Sequence, residues 1–235
     1  MKFQTPLVPA RLLNRYKRFL ADVELADGRQ VTAHCPNPGA MLGLKEPGTK
    51  LWLEPNEDPK KKLKYGWRLA QMPGGAMVGI DTGIPNRIVK EALHAGRVSE
   101  VADYEIIQSE VKYATASRVD FLLSQQGLAD LYLEVKNAHL MRTDGLAEFP
   151  DCVTARGARH MGDLADMVEA GHRAAVLFVI QRTDCHRFSL AHDLDPAYGI
   201  AFNDAISRGV EVLCYGTEIT TEGVTLATPI PFVAG

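Results

Sequence analysis

Residues 173–180 read Arg-Ala-Ala-Val-Leu-Phe-Val-Ile, and these seven consecutive apolar residues constrain the fold more than any other feature. A strand with one wet face alternates apolar and polar positions, whereas an unbroken apolar run fits a strand covered on both faces. Covering both faces takes helices, and the flanking sequence supplies them. Val153–Glu169 places Met161, Leu164, Ala165 and Val168 at helical spacing, and a second helix is expected near Tyr198–Arg208. A strand at Val210–Tyr215 completes a β-α-β order, and three strand-like segments, Glu105–Tyr113, Arg118–Leu123 and Leu131–Val135, precede it. This part of the chain is expected to be an α/β domain around a mixed central sheet.

The first part has a different rhythm. Arg18–Leu25 and Gln30–Cys35 flank Ala26-Asp-Gly-Arg29, an Asp-Gly hairpin signal. Lys50–Glu54 alternates, and Trp67–Met72 and Ala76–Ile80 are weaker strand candidates. About five short strands suit a small barrel, and the five-stranded OB type is the size match, although an SH3-like barrel shares the pattern. Asn86–Leu93 turns helical, with Asn86 as its expected N-cap and Ile88, Val89, Ala92 and Leu93 as its buried stripe. The expected division is therefore an OB-like barrel over 1–83 and the α/β domain over 84–235.

No stretch approaches the ~18 apolar residues of a membrane span. The opening residues lack the apolar core and cleavage site of a secretory signal. The four cysteines (Cys35, Cys152, Cys185, Cys214) form no CxxC pair, which argues against a zinc knuckle or a disulfide framework. Free thiols without a signal point to the cytoplasm, with no membrane partner. The net charge of -3 hides a split: residues 1–95 hold 15 Lys/Arg against 9 Asp/Glu, and residues 96–235 hold 11 against 20. A basic part attracts phosphates, and an acidic part attracts cations.

The chemistry sits in Ser117-Arg-Val-Asp120 and Leu131-Tyr-Leu-Glu134-Val-Lys136. Side chains at i and i+2 of a strand share a face, so Glu134 and Lys136 project together. Asp120 lies at hairpin spacing on the preceding strand. Two adjacent carboxylates repel unless a cation joins them. Mg2+ or Mn2+ would suit these oxygen ligands, and the Val135 carbonyl adds a further candidate. Lys136 could then orient water and stabilise charge developing on a phosphate. Together these are the tools of phosphodiester hydrolysis.

The Asp120, Glu134 and Lys136 pattern resembles that of the PD-(D/E)XK nucleases, whose core is a mixed sheet flanked by helices. That resemblance implies a restriction-endonuclease-like domain. It also implies a further acid from the preceding helix, for which Glu91 is the candidate. Nearly end to end, the chain is similar to the sugar fermentation stimulation protein A family. The shared text is Arg15–Val23, His34–Met41, Ser109–Tyr113, Ser117–Phe121, Glu134–Lys136 and Phe149–Gly157 with His160. It departs from the family pattern at Ala114 and Pro38. The resemblance implies an N-terminal OB-like domain, a nuclease-like C-terminal domain and DNA binding without strong sequence preference, so DNA is favoured over RNA. The alternative is a non-enzymatic DNA-binding regulator linked to sugar fermentation genes. A sugar-handling enzyme has only the family name behind it.

Further nucleic-acid candidates follow. Lys60, Lys61, Lys62 and Lys64 stand beside Tyr65 and Trp67, a mixture suited to phosphates and bases. Arg15, Lys17 and Arg18 flank Tyr16, and Asn37 sits in a Pro-rich loop able to meet a phosphate. Arg118 shares the Asp120 face. Arg156 and His160 share a helix face, suited to phosphate contact or leaving-group protonation. Glu110 with Lys112 reads as a cross-strand ion pair, and Asp151 as a helix N-terminal residue. Oligomeric state stays open, a homodimer included.

Overall fold

A computed structural model describes residues 1–113 and 117–233, so Ala114 lies outside the described residues. The first unit comprises β1 (Val8–Tyr16), β2 (Leu20–Leu25), β3 (Gln30–His34), β4 (Lys50–Pro55), β5 (Tyr65–Gln71) and β6 (Met77–Gly79). The strand order is β3-β2-β1-β4-β5-β6. A parallel bridge between His34 and Gly66 joins β3 to β5 and closes the first five strands into a barrel. Alternation explains the filling. Ala21, Val23 and Leu25 point inward from β2, and Leu12, Leu51, Leu53 and Trp67 meet them. Met41 and Leu44, both fully buried, plug the barrel from the long β3–β4 connection. Gly28 takes φ +84° in the Asp-Gly turn, where a side chain would strain the backbone.

The second unit begins with α1 (Ile84–His94), β7 (Ile106–Lys112), β8 (Arg118–Ser124) and β9 (Leu131–Ala138). It continues through β10 (Leu140–Thr143), β11 (Leu146–Phe149), α2 (Ala155–Glu169) and β12 (Arg173–Ile180). It ends with β13 (Arg187–Leu190), α3 (Pro196–Ser207), β14 (Glu211–Ile219) and β15 (Val224–Pro229). The main sheet runs β15-β14-β12-β9-β8-β7, with β9, β12 and β14 parallel and the outer strands antiparallel. The apolar run became β12, whose last seven residues are all buried. Ala175, Leu177 and Val179 pack toward α1, while Ala174, Val176 and Phe178 pack toward α2 and α3. Thr154 and Asp195 cap α2 and α3 with their side chains. Among the described residues no helix is long and apolar enough to cross a membrane. All four cysteines are free thiols.

Two expectations about helix starts are corrected. α1 starts two residues before Asn86, behind Gly83 and with Pro85 in its first turn, so Asn86 is helical rather than a cap. Asp151 caps no helix. Its Oδ2 accepts the Met41 backbone N–H at 2.9 Å and ties the barrel's plug loop to the second unit.

The two units are stitched together. Gly79 N–H donates to the Gln181 carbonyl at 2.9 Å, and Val78 bridges Arg182, so the segment after β12 lines the free edge of β6. The fully buried Gln181 amide donates to the Asp81 carbonyl at 3.2 Å and to Asn137 Oδ1 at 2.7 Å. The first three residues, assigned with the barrel by the expected boundary, run along the second unit instead: Phe3 N–H donates to Glu222 O, and Val224 N–H to Met1 O.

Candidate active site

The β8–β9 ladder runs from Leu123–Leu131 to Phe121–Leu133 and then stops. One position further, a side chain takes the place of backbone. Asp120 Oδ2 accepts the Val135 N–H at 2.7 Å, and Oδ1 accepts from Asn86 Nδ2 at 2.6 Å. The carboxylate thus lies where the two strands separate, held from one side by α1. A strand residue sends its N–H and C=O to the same edge, so the Val135 carbonyl faces the same opening.

Glu134 is buried beside it, only 4% exposed. Its Oε1 accepts from Lys136 Nζ at 2.7 Å and meets His160 Nδ1. His160 is also buried, and Arg156 Nε donates to its Nε2 at 3.2 Å. A chain of polar contacts therefore runs Arg156–His160–Glu134–Lys136. Among the described residues, the buried Glu134 Oε2 has no partner. Leaving such an oxygen unsatisfied costs about 1–3 kcal/mol, and more when it is charged.

The two carboxyls are driven apart electrostatically. Burial first, and then the neighbouring Glu134 charge, push the Asp120 pKa up to about 6. Burial also pushes Glu134 upward, but the His160 hydrogen bond and the Lys136 ammonium outweigh it and hold the carboxyl below its ordinary value. Glu134 stays ionised, and Asp120 absorbs the repulsion within the crowded acid pair. The fit to a hard divalent ion rests on this set: an orphaned carboxylate oxygen, a neighbouring carboxyl with a raised pKa and a backbone carbonyl, all oxygen donors. Among the described residues no three His, Cys, Asp or Glu side chains form a ready cage. The remaining positions would fall to water and substrate oxygens, as is usual for magnesium.

The structure brings Asp120, Glu134, Val135, Lys136, His160 and Arg156 together. Glu91 is a correction. It is half exposed and pairs with the N-terminal amine at 2.7 Å, because it lies five residues beyond Asn86 and faces away from Asp120. Asn86 fills the place expected for it. Asn37 is another correction: it is 1% exposed, donates to the Ile80 carbonyl and accepts from Gly39 N–H, so it braces the loop and cannot reach a phosphate. Arg15 spends one terminal nitrogen on the carbonyls of Arg18, Asn37 and Gly39. Trp67 is buried in the barrel, where it cannot stack on a base. Lys17 and Arg18 are exposed at the β1–β2 turn, both with positive φ. Lys60, Lys61, Lys62 and Lys64 are exposed, with Lys64 Nζ bound to the Asp58 carbonyl. Lys61 and Lys62 join His34, Tyr65 and Arg68 along a barrel groove of about 760 Å³. Arg118 and Arg156 line a second groove, with Lys112 and Arg159. Arg159 has a sequence signal, its i+3 spacing from Arg156; Asn86 has only a polarity that suits a helix cap equally well.

The comparisons with known proteins agree with this architecture. Residues 13–80 match the family described as the SfsA N-terminal OB domain, and residues 83–223 match the sugar fermentation stimulation protein RE domain. The chain is 62% identical over 232 residues to a sugar fermentation stimulation protein homolog of Dinoroseobacter shibae, covering 98% of this chain and 95% of the relative. It is 60% identical to the homolog of Jannaschia sp., over 98% of this chain and 96% of the relative. A solved structure of Pyrococcus furiosus SfsA in complex with Ca2+ superposes with a TM-score of 0.87 at 25% identity, covering 99% of both chains. An OB barrel followed by a restriction-endonuclease-like domain, matched along nearly its whole length, places this chain in the sugar fermentation stimulation protein family.

Proposed function

We propose that the protein is a divalent-metal-dependent phosphodiesterase acting on nucleic acid, with DNA as its substrate. The observation that carries this reading is the unpartnered, buried Glu134 Oε2 beside a carboxyl held at about 6. Asp120, Glu134 and the Val135 carbonyl would hold Mg2+ or Mn2+; the Pyrococcus furiosus relative was solved with Ca2+, another oxygen-seeking ion. Such an ion supplies Lewis-acid polarisation of a phosphoryl oxygen. Lys136 places an ammonium beside the reacting phosphate, where it can hold a water and offset developing negative charge. His160 fixes the Glu134 carboxylate, and Arg156 fixes His160. The barrel, with the exposed lysines of its β4–β5 connection, holds the strand.

The test incubates purified protein with plasmid, single-stranded DNA and RNA in Mg2+, Mn2+ or EDTA. Metal-dependent cleavage that falls at least a hundredfold in both Asp120→Ala and Glu134→Ala supports the assignment. Cleavage that persists unchanged in both variants refutes it. A second reading, DNA binding without turnover, is favoured by the Lys136 ammonium being tied to Glu134 at 2.7 Å. It predicts salt-sensitive binding and no product with any metal.

A further inference from the structure

Four cations crowd one groove beside the acid pair. Lys112 comes from β7, Arg118 from β8, and Arg156 and Arg159 from α2; Ser117 and Glu110 complete a rim enclosing about 460 Å³. Lys112 and Arg118 are direct cross-strand partners. Like charges placed opposite one another destabilise a sheet. Arg156 and Arg159 are three residues apart and share a helix face, a second repulsive pair. Several arginines elsewhere are matched: Arg68, Arg142, Arg173, Arg182 and Arg208 all form ion pairs. Among the described residues, none of the four groove cations does. The Ser117 hydroxyl bonds the Asp163 carboxylate, which forms no ion pair with a groove cation among the described residues.

Glu110 is the one acid on this rim, and its backbone is unusual. It takes φ +57°, in the left-handed region that glutamate avoids. The β7–β8 pairing skips it, while the register is the same at Ser109 and at Val111. Its carbonyl accepts from Arg118 at 2.9 Å, so the strained residue positions a cation by its backbone. The groove also reaches the chemistry, because Arg156 contacts His160, which contacts Glu134. The N-terminal turn of α2, which carries Arg156, adds positive potential.

We infer that this groove is the seat of the sugar-phosphate backbone flanking the reacting phosphate, with Lys112 and Arg159 as phosphate-positioning residues. Four cations without ion pairs along one channel, two of them directly opposed across strands, outnumber the nearby acids and call for a ligand with repeated negative charge. A single small anion would leave most of that charge unmatched. The inference rests on the nucleic-acid reading above and adds the surface that receives the strand.

The test measures binding without turnover, in EDTA, using fluorescein-labelled duplex and single-stranded oligonucleotides titrated with full-length protein between 50 and 200 mM salt. The variant is Lys112→Ala/Arg159→Ala, which leaves the acid pair and its contacts intact. Affinity for duplex should weaken on the order of tenfold, and the log–log salt slope should become shallower by about two. The variant's melting temperature should equal or exceed that of wild type, because a like-charge opposition is relieved. An unchanged slope and affinity would overturn the inference, as would a lowered melting temperature, which would make the residues structural. Cleavage by wild type is scored separately with the Asp120 and Glu134 variants, so the groove can fail while the nuclease reading stands, and the reverse.

Discussion

Asp120 is where the cost of the site is concentrated. Its two hydrogen bonds favour the charged form, yet burial and Glu134 prevail and raise its pKa from 3.8 to about 6. Between those values the folded state binds a proton that the unfolded chain has released. Stability contributed by that proton is present below about pH 4 and is lost as pH rises to about 6. Asp120→Asn does not titrate there. Wild type should therefore lose stability relative to this variant by on the order of 1–3 kcal/mol across that window, and then stay level to pH 8. Urea melts at stepped pH measure this; a relative stability that is flat or rising between pH 4 and 6 would contradict it. The acid pair and Lys136 were legible in sequence because i, i+2 spacing and hairpin distance determine who shares a face. Glu91 falls outside the site because the start of α1 sets which side its residues face, and Gly83-Ile-Pro85 is a weaker start signal than Asn86.

At the level of elements, the plug loop between β3 and β4 shows how a Pro-rich stretch becomes a joint. Asn37 anchors it to Ile80, and the Asp151 carboxylate holds Met41 N–H. Burial pushes the Asp151 pKa up, but His139 and the Met41 N–H overrule it and bring it to about 2. A Cβ on Gly39 would lie 2.6 Å from Asp151 Oδ2. Gly39→Ala should therefore push the carboxylate off Met41 and cost about 1–3 kcal/mol, read by thermal or denaturant unfolding. Variant stability equal to wild type would show that Asp151 can retreat freely. Asn37 and Asp151 looked like ligand or cap residues because sequence shows polarity and spacing, while their partners lie 43 and 110 positions away. Long periodic elements such as β12 and α2 were readable. The short strands β10, β11 and β13 were not: four residues cannot establish a period, and two of their charged positions, Arg142 and Glu148, pair with each other.

For the whole molecule, the seam between the two units decides how they behave. Gln181 is fully buried there and satisfies both Asp81 O and Asn137 Oδ1. Gln181→Ala would strand both acceptors and should lower stability by about 2 kcal/mol, with barrel and sheet still unfolding in a single transition. Calorimetry resolving two separate transitions in wild type would show that the seam does not couple them. The division of the chain was readable from the change in strand rhythm. The seam was not, because it joins positions about a hundred residues apart, largely through backbone groups that carry no sequence signature.

β6 meets the segment leaving β12, and β12 lies directly beside the strand that bears Glu134. The barrel therefore works as one jaw of a caliper rather than as a weight on a leash. On the proposed function, a strand gripped by the barrel would be offered to Glu134 at one set distance and one set angle, and any change of reach would require remaking the backbone bridge between β6 and the end of β12.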